Sequence, residues 1–230
     1  MKNRTAVIYA ESMANRGGTG VYLRRLLGGM DSVGARGVLA AVNGSLLSPA
    51  AALAAGVTGP GGWRKVLAEN FSLPRLAASA SPALVHLPAF TGRAPAGTPF
   101  VVTLHDLAFR ACPGWFPLFR SVYYRLLFAR TAASADLVMV DSDFTGAEAV
   151  RLIGIPPGRI RRVYLSTDSF RADPCAFARS GGVTGPYAAF VGTIEPRKNL
   201  AALLDAWETV RRSIPDLSLV VAGRWGWGDK

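Results

Sequence analysis

Short apolar runs, each closed by a glycine or a polar residue, alternate along this chain with stretches whose apolar positions recur every three or four residues. Thr5–Ala10, Val38–Val42, Ala83–Leu87, Pro99–Leu104, Leu137–Val140 and Ile160–Leu165 are such runs, and read as buried strands of a parallel sheet. Leu23, Leu26, Leu27 and Met30 share one helix face after the first of them. Trp63–Ala80 is expected to form one or two helices broken at Pro74. Phe119, Val122, Tyr123 and Leu126 mark another helix, edged by Arg120, Arg125 and Arg130. One more is expected over Gly146–Leu152, with Ser142, Asp143 and Thr145 as capping candidates. Asn43–Gly62, rich in Ala, Gly and Pro, supports no assignment.

The same alternation restarts at Tyr187. An apolar run ending at Gly192 is followed by Leu200, Leu203, Leu204, Trp207, Val210 and Ile214 on one helix face, then by a second run from Leu217 to Gly223. Strand and helix in strict alternation predict an α/β fold of parallel sheets. The expected division is a first α/β domain over 1–168, a linker over 169–185, and the start of a second such domain over 186–230. One βαβ unit is too little to cover both faces of a parallel sheet.

Chemistry in such sheets gathers at the carboxyl ends of the strands, where helix N-termini favour anions. Arg197 and Lys198 stand there in the second domain, placed to meet a phosphate. In the first, Gly17-Gly-Thr-Gly20 reads as a loop between strand and helix, so that Gly18, Thr19 and Gly20 let backbone approach a ligand. Its spacing fails the dinucleotide fingerprint, and no P-loop is present. His105 and Asp106 follow a fully apolar run, a position that packing explains poorly. His86 lies within a strand, and Ser142 follows another.

Composition narrows the classes. A formal charge of +11 suits nucleic acid or an anionic surface, but the basic residues, all but four of them Arg, form no block and no nucleic-acid motif accompanies them. No nucleic-acid partner is expected. Cys112 and Cys175 are far apart and lack metal-ligand spacing, so neither a disulfide framework nor a metal site is indicated. No apolar run reaches the roughly 18 residues that a spanning helix needs, and Met1-Lys-Asn-Arg leads into a strand without a signal pattern. A cytoplasmic protein is expected, with peripheral contact at the inner face of a membrane.

Val191-Gly-Thr-Ile-Glu-Pro-Arg-Lys-Asn-Leu200 closely resembles the loop opening the second domain of retaining GT-B glycosyltransferases of family 4. Further stretches resemble that family in the expected order: Gly17-Gly-Thr-Gly-Val-Tyr-Leu23, His86-Leu-Pro-Ala-Phe90, Val101-Val-Thr-Leu-His-Asp-Leu-Ala-Phe109, Asp141-Ser-Asp-Phe-Thr145, then Val221-Ala-Gly223 with Gly226-Trp-Gly228. The resemblance implies two facing Rossmann-like domains and transfer of a hexose, with mannose and a GDP-sugar favoured, from a nucleotide-sugar donor to a glycan or lipid-linked acceptor with retention of configuration. No cofactor is implied, the nucleotide sugar being a substrate. His105, with Asp106, is the implied catalytic element. Lys198, Arg197, Gly18, Thr19 and Gly20 would bind the donor phosphates, and His86, Ser142, Gly192, Thr193 and Gly223 would line the cleft.

The family also carries two glutamates eight positions apart in its second domain, and no two glutamates here are so spaced. Some relatives place an arginine where Thr193 stands. The chain is therefore expected to be a C-terminally truncated transferase that does not turn over donor by itself. The alternative is a non-catalytic binding or interaction module derived from one.

Overall fold

The computed structural model describes residues 5–15, 17–55, 63–89, 91–118, 122, 124–166, 183 and 185–227. Seven strands form one sheet: β1 (Ala6–Tyr9), β2 (Val38–Val42), β3 (Ser45–Leu47), β4 (Leu84–Leu87), β5 (Phe100–Leu104), β6 (Leu137–Val140) and β7 (Ile160–Arg162), in spatial order β3-β2-β1-β4-β5-β6-β7. All neighbours are parallel except β2 and β3. The apolar runs become strands because both sheet faces are covered: Val7, Val85, Val102 and Leu104 are almost fully buried. Strand order reverses between β1 and β4, the topological switch point at which α/β sheets open a crevice.

Helix α1 (Gly18–Ser32) buries Leu23 and Leu27 against Ile8, Ala40 and Val42, with Tyr22, Leu26 and Met30 packed around them. The Asn43–Gly62 stretch, whose composition supports no assignment, yields β3 and α2 (Pro49–Ala55); residues 56–62 lie outside the described set. Pro74 does not break its helix as expected. An α-turn segment, α3 (Trp63–Leu67), passes through a π-helical stretch, Ala68–Ser72, into α4 (Leu73–Ser79), and Pro74 sits in the first turn of α4, where a missing N–H is tolerated. A short α5 (Ala108–Ala111) follows β5, and α6 (Ala129–Ser134) continues a π-helical stretch, Tyr124–Phe128. Phe109 meets Phe128 edge-on at 4.8 Å, closing that side of the core. Helix α7 (Asp143–Glu148) starts three residues earlier than its periodicity suggested, because Ser142 caps it through its side chain, and it runs into a π-helical stretch, Ala149–Ile153.

The chain divides into two compact units, one of Met1–Ala111 with Val122–Leu165, the other of Cys112–Ser121 with Ser166–Lys230. The second holds a two-stranded parallel sheet, β8 (Tyr187–Val191) with β9 (Ser218–Ala222), joined by α8 (Leu200–Ser213). No residue of α8 is fully buried. Within this unit the Trp227 indole N–H donates to Trp115 O at 2.7 Å, and its ring lies 5.7 Å from Phe116. Most of the expected linker 169–185, Cys175 with it, falls outside the described residues, as do Phe119, Arg120 and Tyr123.

Candidate functional site

In the parallel ladder Leu104 of β5 pairs with Val140 of β6. The next residue on each strand, His105 and Asp141, therefore emerge side by side at the carboxyl edge of the sheet. His105 Nδ1 lies 2.6 Å from Asp141 Oδ2, with both side chains only about one-sixth exposed. An ionised Asp141 accepts from Nδ1–H, which sets the tautomer and turns Nε2 to the other side. Nε2 is buried and has no hydrogen-bond partner among the described residues. A buried ring nitrogen without a partner is costly, so this atom is the strongest sign of a ligand in the first unit.

Tyr22, on the first turns of α1, sets its ring edge-on to the His105 imidazole at a centroid distance of 4.8 Å. Its hydroxyl lies 3.4 Å from Thr103 Oγ1, which in turn is 2.8 Å from His86 Nε2. His86 is thus not an open-wall residue: it is buried in β4 and hydrogen-bonded to Thr103 across the sheet. Burial, with the nearby His105 as a lesser cause, lowers its pKa from 6.5 to about 4, so it is neutral near pH 7. Burial also raises the Tyr22 phenol, opposed by the Thr103 hydrogen bond and assisted by the Asp141 charge, so its O–H stays protonated.

The other residues singled out in this unit have local employment. Asp106 is exposed, and its Oδ1 accepts from Ala108 N–H at 3.1 Å, opening α5. Ser142 Oγ accepts from Thr145 N–H at 3.1 Å. The glycine run is not a loop before the helix, as its composition suggested, but the first turn of α1, with Gly17 as N-cap. A Cβ on Gly20 would stand 1.7 Å from Asn15 O, so the turn closes only on glycine. Gly18 is open to solvent, and Gly20 N–H is already engaged by Gly17 O at 3.1 Å.

In the second unit the strand ends are zipped by backbone. Gly192 N–H donates to Ala222 O, and Ile194 N–H to Arg224 O, each at 2.9 Å. A Cβ on Gly223 would meet Gly192 O at 1.8 Å, so this closeness requires glycine there. Thr193 follows, half-buried. Arg197 and Lys198 form a 3-10 turn, Pro196–Lys198, rather than the start of the helix, and Asn199 turns the chain at φ 49° into α8. Arg197 is occupied: Nη2 pairs with the buried Glu195 at 2.6 Å, and Nε donates to the same oxygen at 2.9 Å. Lys198 is exposed, and its ammonium has no partner among the described residues. The first bond of α8 runs from Leu203 N–H to Asn199 O at 3.4 Å, so the N–H groups of Leu200, Ala201 and Ala202 precede its ladder.

Sequence reasoning passed over Asp141 and Tyr22. Asp141 carried the signal used for His105, a polar residue directly after an apolar strand. Tyr22 lay in the Gly17–Leu23 stretch that resembles the family, but nothing there marked its side chain, since its proximity to His105 depends on how α1 packs on the sheet. Among the described residues no group of three or more His, Cys, Asp or Glu is placed to hold a metal ion. No helix of the described residues is long and apolar enough to cross a membrane.

The family model for Glycosyltransferase Family 4 matches residues 16–171, about two-thirds of the chain. This chain belongs to Glycosyltransferase Family 4. The match takes in α1, His86, His105 and Asp141, so both residues of the buried dyad lie on a stretch this family shares. O-antigen chain mannosyltransferase B of Escherichia coli is 31% identical over 139 residues, which is 56% of this chain and 36% of that protein. The solved structure of sucrose-phosphate synthase from Thermosynechococcus elongatus is 18% identical and superposes with a TM-score of 0.64 over 96% of this chain and 62% of its own. At that identity the likeness shows the fold, a Rossmann-like α/β architecture of the GT-B type. The family 4 chain described here thus spans about a third of the curated relative and under two-thirds of the solved one.

Proposed function

We propose that this chain belongs to a glycosyltransferase that moves a hexose, mannose in the first instance, from a nucleotide-sugar donor to a glycan or lipid-linked acceptor with retention of configuration. The observation that carries the reading is His105 Nε2, buried and unpartnered among the described residues while Asp141 holds the other ring nitrogen. Such an imidazole hydrogen-bonds a sugar hydroxyl, or charge developing as the sugar leaves, without having to be reoriented. Lys198 and the first N–H groups of α8 would take the departing diphosphate, whose negative charge the helix start and ammonium both favour. Arg197 contributes less, since Glu195 already neutralises it. The name of the mannosyltransferase relative supports the choice of sugar. No cofactor takes part. Peripheral attachment to the inner face of a cytoplasmic membrane fits a lipid-linked acceptor.

A second reading is a binding module without turnover. One assay separates the two. Release of nucleoside diphosphate is followed for a panel of nucleotide sugars with and without glycan acceptors, using the wild type and His105→Ala. Release by the wild type and its loss in His105→Ala support the transferase. Donor binding without release by either protein supports the module.

A further inference from the structure

A groove of about 1000 Å3 lies on the helix layer of the seven-stranded unit, bounded by α4, the loop 92–98 and α6. Arg75 on α4, Arg93 on the loop and Arg130 on α6 line it, and no Asp or Glu among the described residues does. None of these three guanidinium groups has a carboxylate partner among the described residues. Several arginines elsewhere are engaged, Arg151 by Glu148, Arg162 by Asp143, Arg197 by Glu195, and Arg159 by the carbonyls of Ala133 and Ala135. Three free cations around one depression repel each other, a cost that an anion removes.

The rim is built rather than loose. Tyr9 O–H donates to Arg93 O at 2.8 Å, Arg93 N–H to Glu69 O at 3.1 Å, and Thr131 O–H to Gly92 O at 3.1 Å. These bonds place the loop before any ligand arrives, which lowers the ordering cost of binding. Pro74, Ala78, Pro95, Phe100 and Leu127 add apolar surface between the arginines. Guanidinium forks match phosphate oxygens two at a time, and the apolar surface suits the organic part of a phosphate ester.

We propose that this groove binds a phosphate-bearing ligand, with Arg75, Arg93 and Arg130 on the phosphate. Its lining shares no residue with the network around His105, and it lies in a different unit from Lys198. It is therefore distinct from the His105 network and from the Lys198 phosphate contact.

The test uses two probes in the Lys198→Ala background, which removes the proposed donor-phosphate contact. Inorganic pyrophosphate is titrated calorimetrically, and co-sedimentation is measured with phosphatidylcholine vesicles made with and without phosphatidylglycerol. The combined Arg75→Gln, Arg93→Gln, Arg130→Gln variant is expected to bind at least about tenfold more weakly, because hydrogen bonds from guanidinium to phosphate are charge-assisted and strong. Unfolding midpoints check that it folds, and if it does not, the three single variants are compared, each expected to bind with part of the affinity removed. Pyrophosphate binding alone, abolished with the arginines, identifies a soluble phosphate ester. Arginine-dependent sedimentation with phosphatidylglycerol alone identifies a lipid headgroup, and both together mean the groove takes either. Equal binding by the arginine variants and their background, or no binding of either probe, overturns the proposal.

Discussion

In the larger unit, β5 is buried along four of its five residues, whereas in the smaller unit β8 alternates between exposed and half-buried positions and α8 buries nothing fully. Val191 is 78% exposed while Val102 and Leu104 are inaccessible. The apolar patterns of the two regions are much alike, so the difference lies in how many layers surround each sheet. Seven strands with helices packed on them enclose a core; the two strands and one helix described in the smaller unit cover one sheet face at most. The candidate sites follow suit. His105 is held by two partly buried side chains, Tyr22 from α1 and Asp141 from the end of β6, while Lys198 stands on a turn fixed mostly by backbone bonds.

The sharpest way to break this comparison is core truncation. Leu27→Ala, at a fully buried position, should destabilise by about 2–5 kcal/mol, and Leu204→Ala, at 47% exposure, by less than about 1 kcal/mol. Urea unfolding followed by far-UV circular dichroism measures both, and equal losses would show that the smaller unit has a core after all.

A pH series sharpens the contrast, since both histidines lie in the larger unit. The unfolded chain binds a proton on His86 near pH 6.5, and the folded one only near pH 4. Acid therefore favours unfolding: the contribution is complete above pH 6.5 and lost as pH falls through about 4, amounting to about 3 kcal/mol at the low end. In His86→Gln the slope of the urea midpoint over that window should flatten. A slope unchanged by the substitution would remove His86 from the account.

At the sites themselves, His105→Ala should lower kcat about a hundredfold in the proposed transfer while donor affinity changes little. Asp141→Asn should follow it part of the way, because the amide does not select the same tautomer; an unchanged kcat and pH profile would leave Asp141 as packing alone. Smaller still is the effect expected of Lys198→Ala, about tenfold in nucleoside diphosphate affinity. Arg197→Ala should cost about twofold or less, since its guanidinium serves Glu195. Calorimetric titration of both variants checks the order, and a reversal would move the phosphate contact from Lys198 to Arg197.

Much of the fold is legible in the amino-acid order because strand and helix are local statements. Runs such as Val101-Val-Thr-Leu104 are short, largely apolar and β-branched, which reads as a buried strand, and Leu23, Leu26, Leu27 and Met30 repeat at helical spacing. Strand ends are equally local, which is why His105, Ser142 and Lys198 could be marked as emerging at carboxyl edges. Roles were not local. Whether a marked residue is free depends on partners remote in sequence or on the exact turn: His86 is taken by Thr103, Ser142 and Asp106 by caps, and Arg197 by a buried Glu195. Asp141 becomes the partner of His105 only because ladder register sets Val140 beside Leu104, 36 residues away. Arg75, Arg93 and Arg130 meet on one groove only because two helices and a loop pack there. Periodicity records which face of an element is apolar; register and packing, which bring distant segments together, decide what each polar group finally touches.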